Sequence, residues 1–495
     1  MKNMKKTLLR SVAAPSILLV ALSGCAVGPD FKQPDAPTVQ GYTKTPLPDK
    51  TVSADTTGGT AQEFVAGMDI PAQWWTLFQS PQLNAVITQA LKASPDLASA
   101  RAALRAADEQ VAAQRGSYFP SVDASLAPTR QKLAGTPAQG EVSPFNLHTA
   151  QVNVAYTLDA FGGNRRQVED LQAQAGQQRF LLEAAYLTLT SNVVATAVQE
   201  ASLRAQIGAT ERVIAMQTSL LGLLQRQYAL GDVAQADVAT QEATLAQTQA
   251  TLPPLQNALS QQRNRLTALA GRFPSEELDE KFVLSGLQLP QQLPVSLPSQ
   301  LVRQRPDVRA AEEQLHAASA AVGVATANML PQITLSANIG SSATQFGNLF
   351  TSGTGFWGLA GGLTQPLFAG GALLHKKRAS EALLEQAAGQ YRSTVIVAFQ
   401  NVADSLRALQ FDAETLRGQV LAERAAARSV EIARRSVGLG ASSPQTLLAA
   451  ELIYQQAVIN LAQAQAGRFA DSAALFQALG GGWWNRGEIL ADGLR

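Results

Sequence analysis

The chain has 495 residues, a formal net charge of +1 and 16% charged side chains. This length exceeds what one small hydrophobic core requires, so several structural layers are expected. A nearly neutral net charge does not suggest a nucleic-acid partner, and a single cysteine excludes a disulfide framework. Alanine, glutamine and leucine are abundant, and that composition favours long packed helices.

The N-terminus has the pattern of a secretory signal. Four cationic residues precede an apolar run from Val12 to Leu22, shorter than the roughly 20 residues of a membrane-spanning helix. The run ends at a Leu-Ser-Gly-Cys tetrad that resembles the bacterial lipobox, in which the cysteine, here Cys25, receives a diacylglycerol. An unmodified cysteine beside an ordinary cleavage site is the alternative. In similar lipoproteins an aspartate after the cysteine favours retention in the inner membrane, and Ala26 permits export to the outer membrane.

Loss of residues 1–24 changes the formal charge from +1 to −3, because that segment contains four cations and no acid. Beyond it, no apolar stretch suggests a spanning helix. A chain of this kind would have to cross a membrane as strands of a closed barrel.

An internal repeat organises the remaining chain. Residues 95–120 align without gaps on residues 306–331, and further matches follow in the same order at a shift of 209 residues. Matched pairs in this second region include Gly231 with Gly440 and Glu242 with Glu451. Anchors in a conserved order indicate duplication rather than coincidence.

Each copy contains two segments in which apolar residues alternate with small or polar ones. They lie near residues 121–126, 150–159, 333–339 and 357–364. Alternation with period two places the apolar side chains on one face of a strand. Strands of about ten residues with one apolar face are typical of transmembrane barrels, although a half-buried soluble sheet is the alternative for any single strand. Four strands cannot enclose a water-filled lumen, so a channel requires oligomerisation.

Very long helices follow the strands in both copies. Proline-free stretches predict helices from Asn164 to about Ala229 and from Ala372 to about Val437, each roughly 100 Å long at about 1.5 Å per residue. Apolar residues recur in steps of four and three from Phe180 and from Phe399, which predicts close coiled-coil packing.

The long helices are expected to end at Gly231 and Gly440, each followed by an antiparallel return helix. In the first copy Pro253-Pro254 predicts an interruption of the return helix, because an interior proline lacks the N–H and clashes with the preceding turn.

Together these elements resemble the TolC-like outer-membrane factors, specifically the lipoprotein OprM/NodT branch. Motifs that carry the resemblance are spread over the mature chain at Cys25–Phe31, Trp74–Leu83, Leu297–Val308 and Leu479–Trp483. The resemblance implies an α+β membrane channel, a homotrimer with four strands per chain in a twelve-stranded outer-membrane barrel. A periplasmic α-helical barrel and an equatorial mixed domain complete the expected fold.

The resemblance also implies a function and partners. The trimer is expected to be the passive exit duct of a tripartite pump that exports drugs or other toxic small molecules. Its expected partners are a periplasmic adaptor (membrane fusion) protein, an inner-membrane pump of RND type and outer-membrane lipid, with no nucleic acid.

The expected domain organisation follows the repeat and the family pattern. Its parts are a signal peptide at 1–24, a lipidated N-terminal and equatorial segment at 25–94, repeat 1 at 95–271, an equatorial linker at 272–304, repeat 2 at 305–479 and a C-terminal tail at 480–495.

In similar proteins the turns between long and return helices form the periplasmic tip, where tyrosines and carboxylates narrow the pore. The first turn keeps Tyr228, Asp237 falls at the position of a constriction aspartate, and Asp232 lies near it. Threefold symmetry would bring copies of Asp237 around one axis, which disfavours anions. Alternatively Asp237 only caps the start of a helix, where aspartate is stabilising.

The second turn departs from the family pattern. Val437 stands where tyrosine is common, and Thr446 and Ala449 occupy positions that are often acidic. A second acidic ring is therefore not expected, and the resting gate is expected to be looser.

Neither a catalytic site nor a metal or cofactor site is expected. His148, His316 and His375 are far apart in sequence, and each is expected at the surface. The glycine runs lack the following Lys-Ser/Thr of a phosphate loop. Two other functions stay open: a lipid-anchored periplasmic coiled-coil scaffold that does not conduct, and an export duct for secreted peptides or proteins. The sequence does not identify the cargo.

Overall fold

The computed structural model describes residues 26–39, 41–134 and 143–487. Cys25, the predicted lipidation site, lies outside these residues. The chain divides into two compact units. Unit 1 comprises the described residues that fall within 1–34, 103–178 and 310–392, and unit 2 comprises those within 35–102, 179–309 and 393–495.

The described strands and α-helices are as follows. The strands are β1 Glu63–Ala66, β2 Ser121–Gln131, β3 Phe145–Leu158, β4 Gln292–Val295, β5 Gln332–Ala343 and β6 Gly355–Thr364. The helices are α1 Pro81–Ala93, α2 Pro95–Arg115, α3 Gly163–Leu230, α4 Gln235–Leu269, α5 Pro298–Gln304, α6 Pro306–Ala327, α7 Ala372–Gly438 and α8 Pro444–Ala478.

Unit 1 contains a four-stranded antiparallel sheet in the order β2-β3-β5-β6. All four strands arise where the alternating segments predict them. The β3–β5 pairing joins the two repeats, with Val152 opposite Ile339. The predicted duplication is therefore visible as two hairpins placed side by side in one sheet.

The two long helices match their predicted bounds closely. Helix α3 has 68 residues and α7 has 67, so each extends roughly 100 Å. The apolar residues that recur along α7 are buried as predicted. Leu406, Leu409 and Leu416 are each 0% exposed. These residues occur every three or four positions, so they line one face of the helix and stabilise it by packing rather than by propensity.

Helix α3 contains an 18-residue window with a mean hydropathy of 1.3, which is long and apolar enough to cross a membrane. The expectation that no such stretch follows the signal was therefore wrong on composition. Half of this window is buried by the chain itself.

The predicted break at Pro253-Pro254 was also wrong, because α4 continues through both prolines. The carbonyls four residues earlier, on Gln249 and Ala250, lose their usual donors. Those residues and the prolines are all exposed, so water can reach the freed carbonyls. Burial of the opposite face, at Thr244, Leu245 and Thr248, holds the helix together.

Unit 2 gathers segments that are distant in sequence. Strand β1 pairs in parallel with β4, which links the N-terminal segment to the inter-repeat segment. Trp74 is 1% exposed and stacks on Phe476, with ring centroids 5.4 Å apart. The Trp483 indole N–H donates to the Gln304 carbonyl oxygen at 2.6 Å. The motifs at residues 74–83, 297–308 and 479–483 thus meet in one core.

Candidate functional site

The sheet of unit 1 has two chemically different faces. Strand register places Trp357, Leu359 and Leu363 on one face with Leu335 and Ile339, and these side chains are between 45% and 76% exposed. Such an extended exposed apolar surface is expected to contact lipid or another protein.

The opposite face is polar. Asp123, Asn153, Asn338 and Gly358 lie side by side across the four strands. The Asn153 side-chain amide donates to an Asp123 carboxylate oxygen at 2.9 Å. Water is the natural environment of this face, so the sheet can separate lipid from an aqueous lumen.

Both outer strands of this sheet need further partners. In the part of the chain that the structure describes, β2 pairs only with β3, and β6 pairs only with β5. An open edge is not tolerated against lipid, because its unpaired N–H and C=O groups cannot bond to water there. Edge pairing between copies closes such a sheet, and three copies supply the twelve strands expected from the family pattern.

The turn between α3 and α4, named here the first tip (residues 227–237), ends its helix through a glycine. Gly231 has φ +84°. Its N–H donates to the Tyr228 carbonyl oxygen at 3.0 Å, and the Asp232 N–H donates to the Gln227 carbonyl oxygen at 2.9 Å. This pair of bonds satisfies carbonyls that the helix end leaves free.

The second tip, residues 436–446 between α7 and α8, repeats this arrangement. Gly440 has φ +69°. The Gly440 N–H donates to Val437 at 3.0 Å, and the Ala441 N–H donates to Ser436 at 2.8 Å. Both glycines therefore lie in the hairpin turns where the sequence places them, and the backbone conformation explains the residue type.

The acidic residues of the first tip have different surroundings. Tyr228 is 47% exposed, and Asp232 is exposed in the turn itself. One Asp237 carboxylate oxygen accepts a hydrogen bond from the Ala234 N–H at 3.2 Å, so Asp237 caps the start of α4. The other oxygen accepts a hydrogen bond from the Gln445 side-chain amide, at the start of α8.

Gln445 is the tip residue that sequence reasoning missed. It connects the first tip to the second within one chain. No local pattern signals this contact, because Gln445 and Asp237 are 208 residues apart.

A buried apolar cluster fills the space behind the two tips. Its buried members are Leu220, Leu224, Val430, Ala433, Val437, Leu447 and Ala450, with Val233, Val238 and Tyr454 packed against them. Val437, the residue in place of the usual tyrosine, belongs to this core and is 8% exposed.

Glu451 lies next to this cluster on α8 and is 1% exposed. Among the described residues neither carboxylate oxygen has a hydrogen-bond partner. The Arg434 guanidinium is 3.8 Å away but is 57% exposed. Burial raises the pKa of Glu451, and Arg434 opposes that rise. Its counterpart Glu242 on α4 is exposed, so the repeats differ in burial where their sequences agree.

The histidines are only partly as expected. His375 is exposed, whereas His148 and His316 are partly buried, so the predicted surface position holds in full only for His375. His316 is half-buried because Phe31 stacks on its ring, with centroids 4.3 Å apart. Among the described residues, no group of three His, Cys, Asp or Glu side chains could hold a metal ion.

Comparison with known proteins identifies the whole arrangement. Residues 86–272 and 297–481 both match the outer membrane efflux protein family, one match for each repeat. The chain is 29% identical over 490 residues to the toluene efflux pump outer membrane protein TtgC of Pseudomonas putida, covering 96% of each chain. It is 29% identical to the pyoverdine export outer membrane protein OpmQ of Pseudomonas putida, covering 89% of this chain and 94% of that protein.

The fold agrees with solved outer-membrane channels. The structure of the outer-membrane channel OprN superposes with a TM-score of 0.83 at 26% identity, covering 93% of this chain and 100% of that one. The predicted fold class, a trimeric outer-membrane channel with a helical barrel and two internal repeats, is confirmed by these matches. The chain belongs to the outer membrane efflux protein family, and it is an outer-membrane efflux channel, the exit duct of an efflux pump.

Proposed function

We propose that the trimer is a passive, non-catalytic duct that exports small organic molecules, and that it works with a periplasmic adaptor and an inner-membrane pump of RND type. The sheet with one apolar face, one polar face and two open edges carries this proposal. A non-conducting periplasmic scaffold would gain nothing from exposing residues such as Trp357 and Leu359 on one face of a sheet.

The proposed cargo rests on the relatives. One is named for toluene and another for pyoverdine, so ducts of this type serve different small organic molecules. Deletion of the gene, followed by comparison of growth in solvents, antibiotics and metal salts, identifies the cargo class. Export of secreted peptides is the alternative outcome of that comparison.

We propose in addition that Cys25 carries the lipid anchor and that the chain keeps the domain boundaries given above, with linker residues 272–304 between the repeats. Mass spectrometry of the mature protein tests the anchor. An N-terminal peptide beginning at an unmodified cysteine, or at another residue, would exclude it.

The gate is proposed at the first tip, at Tyr228, Asp232 and Asp237. The bond from Gln445 to Asp237 adds a specific mechanism, because it fastens α8 to α4 in the resting state. Opening the tip then requires breaking this bond, and the carboxylate so released faces the passing solute.

Planar-bilayer recordings distinguish two roles for Asp237: a bond to Gln445 that holds the tip closed, and a ring of negative charge formed by the three copies of Asp237. If the Gln445–Asp237 bond closes the tip, both Asp237→Ala and Gln445→Ala raise single-channel conductance, and the control Gln235→Ala, at an exposed residue of the same tip, has little effect. If Asp237 acts only through its charge, Gln445→Ala leaves conductance unchanged, whereas Asp237→Ala changes ion selectivity. Purified wild-type trimers that never conduct would exclude the duct itself and favour the scaffold.

A further inference from the structure

The segment that directly follows the proposed lipidation site is docked on unit 1. The Val27 N–H donates to the Phe161 carbonyl oxygen at 3.1 Å. A Cβ on Gly162 would be 2.6 Å from the Ala26 Cα, so the chain touches the backbone of the turn after β3. Ala26 therefore has a fixed place between the end of β3 and the start of α3.

Glycines allow the same segment to approach the second repeat. Gly28 has φ +96°, and a Cβ there would be 2.4 Å from the Cα of Gly323 on α6. Only two residues without side chains can pack this closely. This close approach to Gly323 explains why position 28 of the motif is a glycine.

One buried arginine holds the segment in place. The Arg166 side chain on α3 is 4% exposed. Its Nε donates to the Val27 carbonyl oxygen at 3.1 Å, and its Nη2 donates to Asp30 at 2.6 Å. Its Nη1 donates to Glu169 at 2.7 Å. All three guanidinium nitrogens are engaged, and two of them bind the N-terminal segment.

Glu169 extends this network to α6. Its other oxygen lies 3.0 Å from His316 Nε2, and the His316 ring stacks on Phe31. Glu313 lies 3.5 Å from the other ring nitrogen of His316. Asp30 and Phe31, adjacent in sequence, are therefore bound by side chains from different repeats.

The docking point coincides with one end of the apolar face of the sheet. Leu158, Ile333 and Leu363 lie side by side in the last apolar row next to the helices. The turn that contacts Ala26 begins directly after Leu158. Ala26 contacts this turn at Gly162, four residues beyond Leu158, and consecutive Cα atoms are only about 3.8 Å apart.

We propose that residues 26–31 form a strap that fixes the lipid anchor at the edge of the lipid-facing sheet, with Arg166 as its positioning residue. This inference rests on the proposed lipidation of Cys25. The acyl chains then enter the bilayer beside the barrel wall and do not serve as a free tether. The strap also joins α3 of the first repeat to α6 of the second.

The position of the lipid is tested by photocross-linking. Cells are supplied with a photoreactive fatty acid, and cross-links from the acylated N-terminal peptide are mapped by mass spectrometry. We expect wild-type cross-links to concentrate on peptides that contain residues 156–161, 333–335 and 361–368. Arg166→Met should disperse them, Arg166→Lys should partly restore them, and Arg105→Met, at an exposed arginine of α2, is the control.

Hydrogen exchange of the strap amides gives a second readout. Loss of hydrogen bonds to a charged group should speed exchange at Val27 by roughly ten- to hundred-fold in Arg166→Met. Phe31→Ala, which alters only the strap, should act in the same direction if Arg166→Met fails to fold.

Dispersed cross-links in the wild type, or unchanged cross-links in folded Arg166→Met and Phe31→Ala, would overturn the strap. Absence of any acyl label on the wild type would overturn the anchor. Conductance of the same preparations separates both results from failure of the duct, since we expect folded Arg166→Met and Phe31→Ala trimers to conduct.

Discussion

Replacing Glu451 with glutamine tests whether a buried carboxyl controls the stability of the tips. Burial raises the pKa of Glu451, so the packed tip binds the proton more tightly than an opened tip does. Packing is therefore favoured at acid pH. This advantage is lost as pH rises from the ordinary glutamate value of about 4.3 through the raised pKa.

The amount by which ionised Glu451 destabilises the packed tip follows from the surroundings of its carboxylate. Glu451 is 1% exposed, and its two oxygens have no hydrogen-bond partner among the described residues. A buried polar group left unsatisfied costs about 1–3 kcal/mol, and a charged one costs more. Arg434 recovers little of this cost, because a side chain that is 57% exposed interacts through screening solvent.

Hydrogen exchange of peptides within residues 428–455, corrected for intrinsic exchange at each pH, measures tip opening. At neutral pH we expect Glu451→Gln to slow exchange by roughly ten-fold or more, and to flatten the pH dependence seen in the wild type. Glu451→Leu should slow exchange further, because it also joins the apolar cluster. Glu242→Gln is the matched control, since Glu242 is the exposed counterpart on α4. The reasoning fails if wild type and Glu451→Gln show parallel pH profiles.

Two further predictions concern unit 2. Leu406→Ala removes a side chain that is 0% exposed and should lower the free energy of unfolding by about 2–5 kcal/mol. Leu421→Ala on the same helix, at a side chain 63% exposed, should change it little, and equal losses in denaturant titrations would contradict the predicted packing. Arg486→Met leaves the Glu183 carboxylate, whose side chain is 5% exposed, buried without its ion-pair partner. We expect the free energy of unfolding to fall by about 3–5 kcal/mol at neutral pH. Adding Glu183→Gln should recover part of this loss, and a double variant no more stable than Arg486→Met would refute the pairing.

The elements of the fold were predictable because their signals are local. Alternation of Val122, Ala124 and Leu126 with polar residues predicts a strand wherever one face is apolar. The long helices follow from heptad spacing, and their ends follow from Gly231 and Gly440. The family motifs then supplied what local patterns lack, the closure of the sheet by three chains.

Errors arose where solvent access or distant partners decide the outcome. Pro253-Pro254 does not interrupt α4, because the prolines lie on an exposed face, where water can reach the freed carbonyls, and the other face is buried. His316 is half-buried because a segment nearly three hundred residues earlier in the sequence covers its ring. Gln445 reaches Asp237 only because two hairpins of different repeats lie side by side.

Local patterns in the sequence sufficed to predict the repeat, the strands, the long helices and the glycine turns, since each depends on neighbours within a few turns or residues. The packing of distant segments, by contrast, buries Glu451 and leaves its repeat counterpart Glu242 exposed. It also decided that Asp237 binds Gln445 and that Arg166 binds the N-terminal strap. The burial of a side chain and its hydrogen-bond partners depend on which distant segments pack together, and the residue type alone does not reveal this.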